Sequence, residues 1–207
     1  MLNIARPVAA AFVTIFVFGC ANPINQNTAE NYHELGSQAE DVGNYELAEE
    51  YYGRALWNAE MGQSPDSGLS MVSYNLGRVK GYLCKYDEAE ELLLDALRLE
   101  EEASNPETGL VSMRLFELAR LNAAWMRFDK ALSYYARAIS IVRKLDIETS
   151  DPIGFSYVLA DYSELLESSG NHEKAISIAQ EADRIKAANR GMQPGFVAQS
   201  YSRNCLN

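Results

Sequence analysis

Four stretches of the 207-residue chain repeat one helical pattern, and this repetition constrains the fold more than any other feature of the sequence. Alanines lie three and ten positions after the ring-bearing residue that begins each stretch, at Tyr45, Tyr86, Phe128 and His172. Seven residues make about two turns of an α-helix, so both alanines of a pair lie on one helix face. Such small side chains let a second helix approach closely.

The second helix of each unit lies upstream in the chain. Apolar residues recur at helical spacing in "ENYHELGSQAEDVG", "MVSYNLGRVKGYLC", "SMRLFELARLNAAWM" and "SYVLADYSELLESSG". One helix pair cannot bury its apolar face by itself, so neighbouring pairs must stack on one another. We therefore predict an all-α solenoid of antiparallel helix pairs.

The repeated unit resembles the tetratricopeptide repeat (TPR). The similarity rests on "YDEA" at 86–89, on the paired alanines, and on Leu35–Gly36, Leu76–Gly77 and Leu118–Ala119 at one repeat position. It covers residues 29–189 as four repeats of about 42 residues, a length similar to that of kinesin light chains and related bacterial regulators. The resemblance implies a right-handed superhelical solenoid whose first helices line a concave, peptide-binding groove.

The resemblance also places eleven residues in that groove. They are Tyr74, Asn75, Arg78 and Tyr82 in repeat two, Met113, Phe116, Glu117 and Arg120 in repeat three, and Tyr157, Asp161 and Glu164 in repeat four. Arg78 and Arg120 share one repeat position and suit a partner's carboxylate; alternatively, both pair with local acids such as Glu117. Tyr74, Tyr82 and Phe116 suit apolar anchors of an interface, although Tyr74 or Phe116 alternatively belongs to the inter-repeat core.

Residues 1–19 have the features of a bacterial lipoprotein signal peptide. The uncharged stretch 8–18 is too short to span a bilayer and ends in "VFGC". This ending resembles a lipobox, which implies cleavage before Cys20 and lipidation of its thiol. Residues 20–28 would then form a tether, and Ala21 at the sorting position implies the outer membrane, facing the periplasm. The alternatives are an ordinary secretory signal and an uncleaved anchor.

The loops between repeats contain signals for helix starts. Ser64, Asn105 and Asp151 each precede a proline, the pattern of an N-cap followed by Pro at the first helical position. Residues 190–207 start a fifth unit and stop, so we predict a partial repeat that caps the last apolar face. Because a solenoid keeps repeat two far from such a cap, we expect Cys84 and Cys205 to be unpaired thiols.

Neither the composition nor the motifs of the chain indicate catalysis. A net charge of -11 argues against nucleic-acid binding. Gly-rich phosphate loops and the HExxH, GxSxG and CxxC patterns are absent from the sequence. His172 takes the ring position of a turn, which predicts packing, and His33 has too few neighbouring ligands for a metal. We therefore predict no catalytic residue, no metal and no cofactor.

These features predict a non-catalytic, lipid-anchored adaptor or scaffold of the bacterial cell envelope that binds a peptide or protein partner in the groove. The alternative is a regulatory binding module, an inhibitor or immunity-type protein of one envelope enzyme. A third hypothesis is a hydrolase that uses acidic residues of the groove, which no motif supports.

Overall fold

The computed structural model describes residues 22–103 and 108–195, together with Tyr201 and Cys205. This part of the chain forms eight α-helices and one 3-10 turn, and it contains no strand. The helices are α1 (Pro23–Asp41), α2 (Tyr45–Met61), α3 (Asp66–Tyr82), α4 (Tyr86–Glu101), α5 (Gly109–Ala124), α6 (Phe128–Lys144), α7 (Pro152–Ser168) and α8 (His172–Ala188), with the 3-10 turn at Ile147–Thr149. Consecutive helices pack as pairs and the pairs stack in chain order, so the predicted all-α solenoid is confirmed.

The repeated pattern places the second helix of every pair. Helices α2, α4, α6 and α8 each begin at the ring-bearing residue of their stretch. The paired alanines are at most 3% exposed, because the first helix of the same pair lies directly against them. Close helix packing over small side chains is therefore what the alanine pattern encodes.

His172 differs from the rings at the same position in the earlier repeats. The ring of Tyr45 packs at a tilt against Tyr82 with centroids 4.8 Å apart, and Tyr86 packs in the same way against Trp125 at 5.7 Å. Both partners belong to the following repeat. His172 lies in the last repeat and is 67% exposed, with Nδ1 2.8 Å from the Glu167 carboxylate. The packing role predicted for His172 is therefore wrong, because no further repeat follows it within the described residues.

Cap geometry confirms part of the predicted helix starts. Asp151 caps α7, because its Oδ1 accepts a hydrogen bond from the backbone N–H of Gly154 at 2.8 Å. Ser64 does not cap α3, which begins at Asp66 without a side-chain cap. Thr108 caps α5 instead of Asn105, which lies outside the described residues.

The first helix of repeat one begins earlier than the sequence suggests. Residues 23–28, which we predicted as part of a tether, form the first turns of α1. The side chain of Asn22 caps this helix, and the backbone N–H of Asn22 donates to the carbonyl oxygen of Gly62 at 3.0 Å. These bonds hold the start of α1 against the end of α2.

The predicted signal peptide and the lipidation site at Cys20 lie outside the described residues, so both stay predictions. Among the helices that the structure describes, none has the length and apolar character needed to cross a membrane.

A buried polar cluster fixes repeat three against repeat two. Arg114 of α5 donates to the carboxylate of Glu100 on α4 at 3.2 Å, and the hydroxyl of Ser70 on α3 donates to the same oxygen at 2.7 Å. The Arg114 guanidinium also lies 4.2 Å from the centre of the Tyr74 ring. Since removing one partner of a buried ion pair leaves an unpaired charge, this cluster disfavours any other register of α5.

Gly77 tests the close packing of a helix pair, with Gly53 as a matched control in another helix. A Cβ atom at Gly77 would lie 2.9 Å from Leu93 Cγ and 3.2 Å from the Ala89 carbonyl oxygen. We expect Gly77→Ala to lower the free energy of unfolding by about 1–2 kcal/mol, because overpacking outweighs the gain in helix propensity. A Cβ atom at Gly53 would meet no atom within 4 Å. We therefore expect Gly53→Ala to raise the free energy of unfolding by up to about 1 kcal/mol. Urea denaturation measures both; a stabilising Gly77→Ala would contradict close packing.

Candidate functional site

Helices α3 and α5 bring five of the eleven predicted groove residues together. Tyr74, Arg78 and Tyr82 recur every four residues along α3, and Glu117 and Arg120 lie one turn apart on α5. Residues four apart share one face of a helix, so each set forms one stripe. The two stripes meet around the side chain of Glu117.

Glu117 is the centre of this arrangement. Its carboxylate is 2% exposed and accepts hydrogen bonds from Arg120 Nη1 at 3.2 and 3.0 Å. The Tyr74 hydroxyl donates to it at 3.4 Å, and the Tyr201 hydroxyl donates to its other oxygen. A buried carboxylate is therefore held by one guanidinium and two phenols, which compensates for its loss of hydration.

Both groove arginines pair with acids of the chain itself, as the second interpretation of the sequence predicts. Arg78 pairs with Glu40 of α1, and Arg120 pairs with Glu117. Each guanidinium keeps one buried nitrogen, Arg78 Nε and Arg120 Nη2, without a hydrogen-bond partner in the described part of the chain. The predicted pair of cations open to a partner's carboxylate is therefore not present at this end of the groove.

Tyr201 fills the space between these residues. Its side chain is 4% exposed, and its ring centre lies 4.9 Å from that of Tyr82 and 5.5 Å from the Arg120 guanidinium carbon. Gly81 faces the ring so closely that a Cβ atom there would overlap it. The structure thus places a residue of the C-terminal segment inside the groove, where Gly81 leaves room for it.

Cys84 and Cys205 form a disulfide, with their Cα atoms 5.4 Å apart. The expectation of two unpaired thiols is wrong. It assumed that the C-terminal segment stays at the far end of the solenoid, whereas Tyr201 and Cys205 lie beside repeats two and three. The backbone N–H of Gly195 donates to the Asp151 carboxylate at 3.0 Å, which ties this segment to the start of α7.

Burial keeps the phenols of the site protonated. It raises the pKa of Tyr74, Tyr82 and Tyr201, and the nearby Glu117 carboxylate raises each of them further. For Arg120, burial lowers the pKa, but Glu117 and the surrounding tyrosines more than compensate and hold it above its ordinary value. The site therefore contains neutral hydroxyl donors and a guanidinium that stays charged.

The remaining predicted groove residues divide into two groups. Met113, Tyr157, Asp161 and Glu164 are exposed. Phe116 is half-buried and packs against Tyr135 in the inter-repeat core. Asn75 hydrogen-bonds Nε2 of His33, whose pKa is lowered by burial. Their predicted role in partner binding stays a prediction.

Sequence reasoning missed three residues of the site, namely Glu40, Gly81 and Tyr201. One signal for the site is present in the sequence. Gly81 is a glycine on the helix that carries predicted groove residues, two residues after Val79 of the core. Its missing side chain leaves room for another ring. Among the described residues, no group of three or more His, Cys, Asp and Glu side chains could hold a metal ion.

Comparisons with known proteins agree with this architecture. A family model described as "Tetratricopeptide repeat" matches residues 27–102 and 68–144, which together span more than half of the chain. No curated protein matches the sequence.

Solved structures share the fold at low sequence identity. BtubC from P. vanneervenii has a TM-score of 0.74 at 23% identity, over 83% of this chain and 68% of that one. The apo form of RapI has a TM-score of 0.70 at 16% identity, over 79% of this chain and 57% of that one. MamA has a TM-score of 0.61 at 19% identity, over 80% of this chain and 82% of that one. At these identities the likeness concerns the fold.

The disulfide gives a test with an internal control. It joins residues 121 positions apart, so we expect its loss to lower the free energy of unfolding by about 2–4 kcal/mol. Cys84→Ser, Cys205→Ser and the double variant should lose the same amount, and reduced wild-type chain should match them. Urea denaturation measures these values. Recovery of both cysteines as free thiols from oxidised chain would contradict the structure.

Proposed function

Because the chain belongs to the tetratricopeptide-repeat family, we propose that it is a non-catalytic adaptor that binds a protein or peptide partner in its concave groove. Repeats of this family are generally protein-binding scaffolds. The observation that carries the proposal is Tyr201, a residue from a distant part of the chain that lies buried among the groove residues. The groove is therefore shaped to accept a polypeptide side chain.

The part of the groove formed by repeats three and four is open to a partner. Met113 on α5 and Tyr157 on α7 are 44% and 43% exposed, and Lys186 lies 4.9 Å from the Tyr157 ring centre. Asp161 and Glu164 continue the same face of α7. Exposed apolar side chains next to charged ones are typical of protein interfaces, where a few large side chains supply most of the affinity.

We propose further that the adaptor is a lipoprotein of the bacterial cell envelope, anchored through Cys20 in the outer membrane and facing the periplasm. The support is the signal-peptide pattern of residues 1–19 and the "VFGC" ending. The Cys84–Cys205 disulfide adds to it, since disulfides persist in oxidising compartments outside the cytosol.

Photocrosslinking in intact cells tests the groove. We expect a photoreactive residue at Met113 or Tyr157 to crosslink to one discrete set of envelope proteins. The matched control is Trp57 on α2, which is 59% exposed but belongs to no groove-lining helix. Crosslinks from Trp57 without any from the groove would contradict the proposal. A single enzyme captured one-to-one, with altered activity, would instead indicate the regulatory binding module.

Membrane fractionation tests the anchor. We expect Cys20→Ser to abolish acylation and to move the chain from the membrane to the soluble fraction, because a diacylated cysteine supplies the membrane affinity. Radiolabelled fatty acid in growing cells measures the acylation, and Cys205→Ser is the control that should leave it unchanged. An acylated Cys20→Ser chain would contradict the assignment.

A further inference from the structure

We propose that the site around Tyr201 is an exchangeable binding site for a tyrosine of a partner peptide, and that the Cys84–Cys205 disulfide keeps the chain's own tyrosine in it. This inference rests on the proposed function, because it concerns the same groove. The Tyr201 site is defined here by Gly81, Tyr82, Glu117 and Arg120.

The Tyr201 site selects a neutral phenol. Gly81 and the Tyr82 ring accommodate a flat aromatic ring, and the Glu117 carboxylate accepts a hydrogen bond from its hydroxyl. A phenylalanine would leave Glu117 with one donor fewer. A phosphotyrosine or carboxylate would bring a second negative charge against a carboxylate that is already buried, which is unfavourable at short range. The ligand class is therefore a peptide that carries an unmodified tyrosine.

Departure of Tyr201 leaves the charges of the site paired. Glu117 keeps two contacts from Arg120 and one from the Tyr74 hydroxyl when the Tyr201 hydroxyl is gone. The ring itself is held by tilted packing against the Tyr82 ring and by the Arg120 guanidinium. Another tyrosine can remake each of these contacts, so the resident ring and an incoming ring compete for the same site.

The disulfide prevents this exchange in the oxidised chain. Cys84 is an exposed residue in the turn after α3, which makes its sulfur the expected point of attack for a dithiol reductant. Attack of one reductant thiolate on Cys84 Sγ forms a mixed disulfide and releases the Cys205 thiolate. The second thiolate then expels Cys84 and closes the reductant's own disulfide. Two electrons and two protons pass to the chain, which ends with two thiols.

Reduction by itself leaves Tyr201 as a strong competitor. A residue tethered to its own site has an effective concentration of about millimolar. A partner peptide must overcome this local concentration, so reduction opens the Tyr201 site without emptying it. The device therefore responds to two signals together, a reductant and a tyrosine-bearing partner.

A peptide with the chain's own terminal sequence is the probe. We would label "FVAQSYSRNSLN", residues 196–207 with serine in place of Cys205, and measure binding to the full chain by fluorescence anisotropy. We expect no binding to oxidised wild type and weak binding to Cys205→Ser. Tyr201→Ala/Cys205→Ser should bind at least about tenfold more tightly than Cys205→Ser, because the tethered competitor is gone. Trp57→Ala/Cys205→Ser, which removes an exposed aromatic side chain of α2 outside the Tyr201 site, should match Cys205→Ser.

Variants of the probe test its chemistry. The peptide with phenylalanine for tyrosine should bind about tenfold more weakly, because it lacks the hydroxyl that Glu117 accepts, and the phosphotyrosine peptide should not bind. A folded Tyr201→Ala/Cys205→Ser chain, with native helical circular dichroism and cooperative unfolding, that fails to bind the peptide would overturn the proposal.

A second measurement uses reduced wild type, in case the double variant does not fold. We expect the peptide to accelerate alkylation of the Cys205 thiol until the rate saturates, because the peptide displaces the segment that carries this thiol. The same peptide with alanine in place of its tyrosine should have no effect. An alkylation rate that does not depend on the tyrosine peptide would overturn the proposed exchange of Tyr201 for the peptide's tyrosine. Partner crosslinks from Met113 and Tyr157 would survive that result, so failure here is distinguishable from failure of the proposed function.

Discussion

The distance between the two helices of a pair sets the geometry of the whole chain. Ala89 and Ala96 of α4 have no exposed surface, and Gly77 of α3 lies so close to Leu93 that a methyl group would clash. Four pairs with the same spacing stack in the same way, so residues at equivalent repeat positions face one direction. Arg78 and Arg120 therefore line up in the groove because the small side chains on the opposite helix face give each pair the same spacing.

Tyr74 connects the core of the stack to its groove. Its ring lies 4.2 Å from the Arg114 guanidinium of the buried cluster and 5.4 Å from that of Arg78 in the groove. Its hydroxyl donates to Glu117 at 3.4 Å. Buried ion pairs contribute more to the choice of one arrangement than to stability, because desolvation offsets much of their attraction. The Arg114–Glu100 pair thus fixes α5 against α4, and the Tyr74 hydroxyl joins α3 to Glu117 of α5, so these contacts together set the position of Glu117.

The sequence predicted those parts of the fold that depend on local periodicity. The ring and alanine pattern located α2, α4, α6 and α8, and the resemblance to the tetratricopeptide repeat supplied the predicted groove residues on α3 and α5. It left open whether Arg78 and Arg120 were free, since Glu40 lies one repeat away from Arg78. It could not place Tyr201, which meets Glu117 across 84 positions of chain. Such a contact depends on the shape of the assembled groove, and no local pattern in residues 190–207 predicts it.

The charge balance of the groove limits how it can recognise a partner. The chain carries a net charge of -11, and the groove arginines nearest Tyr201 are neutralised by Glu40 and Glu117. Long-range attraction of an acidic partner is therefore weak, and recognition depends on rings, hydroxyl groups and shape. Under the proposed function, the exposed residues Met113 and Tyr157 in repeats three and four offer such contacts in either redox state. The Tyr201 site offers them only after the disulfide is reduced, so one solenoid holds two binding surfaces whose availability differs with the redox state of its surroundings.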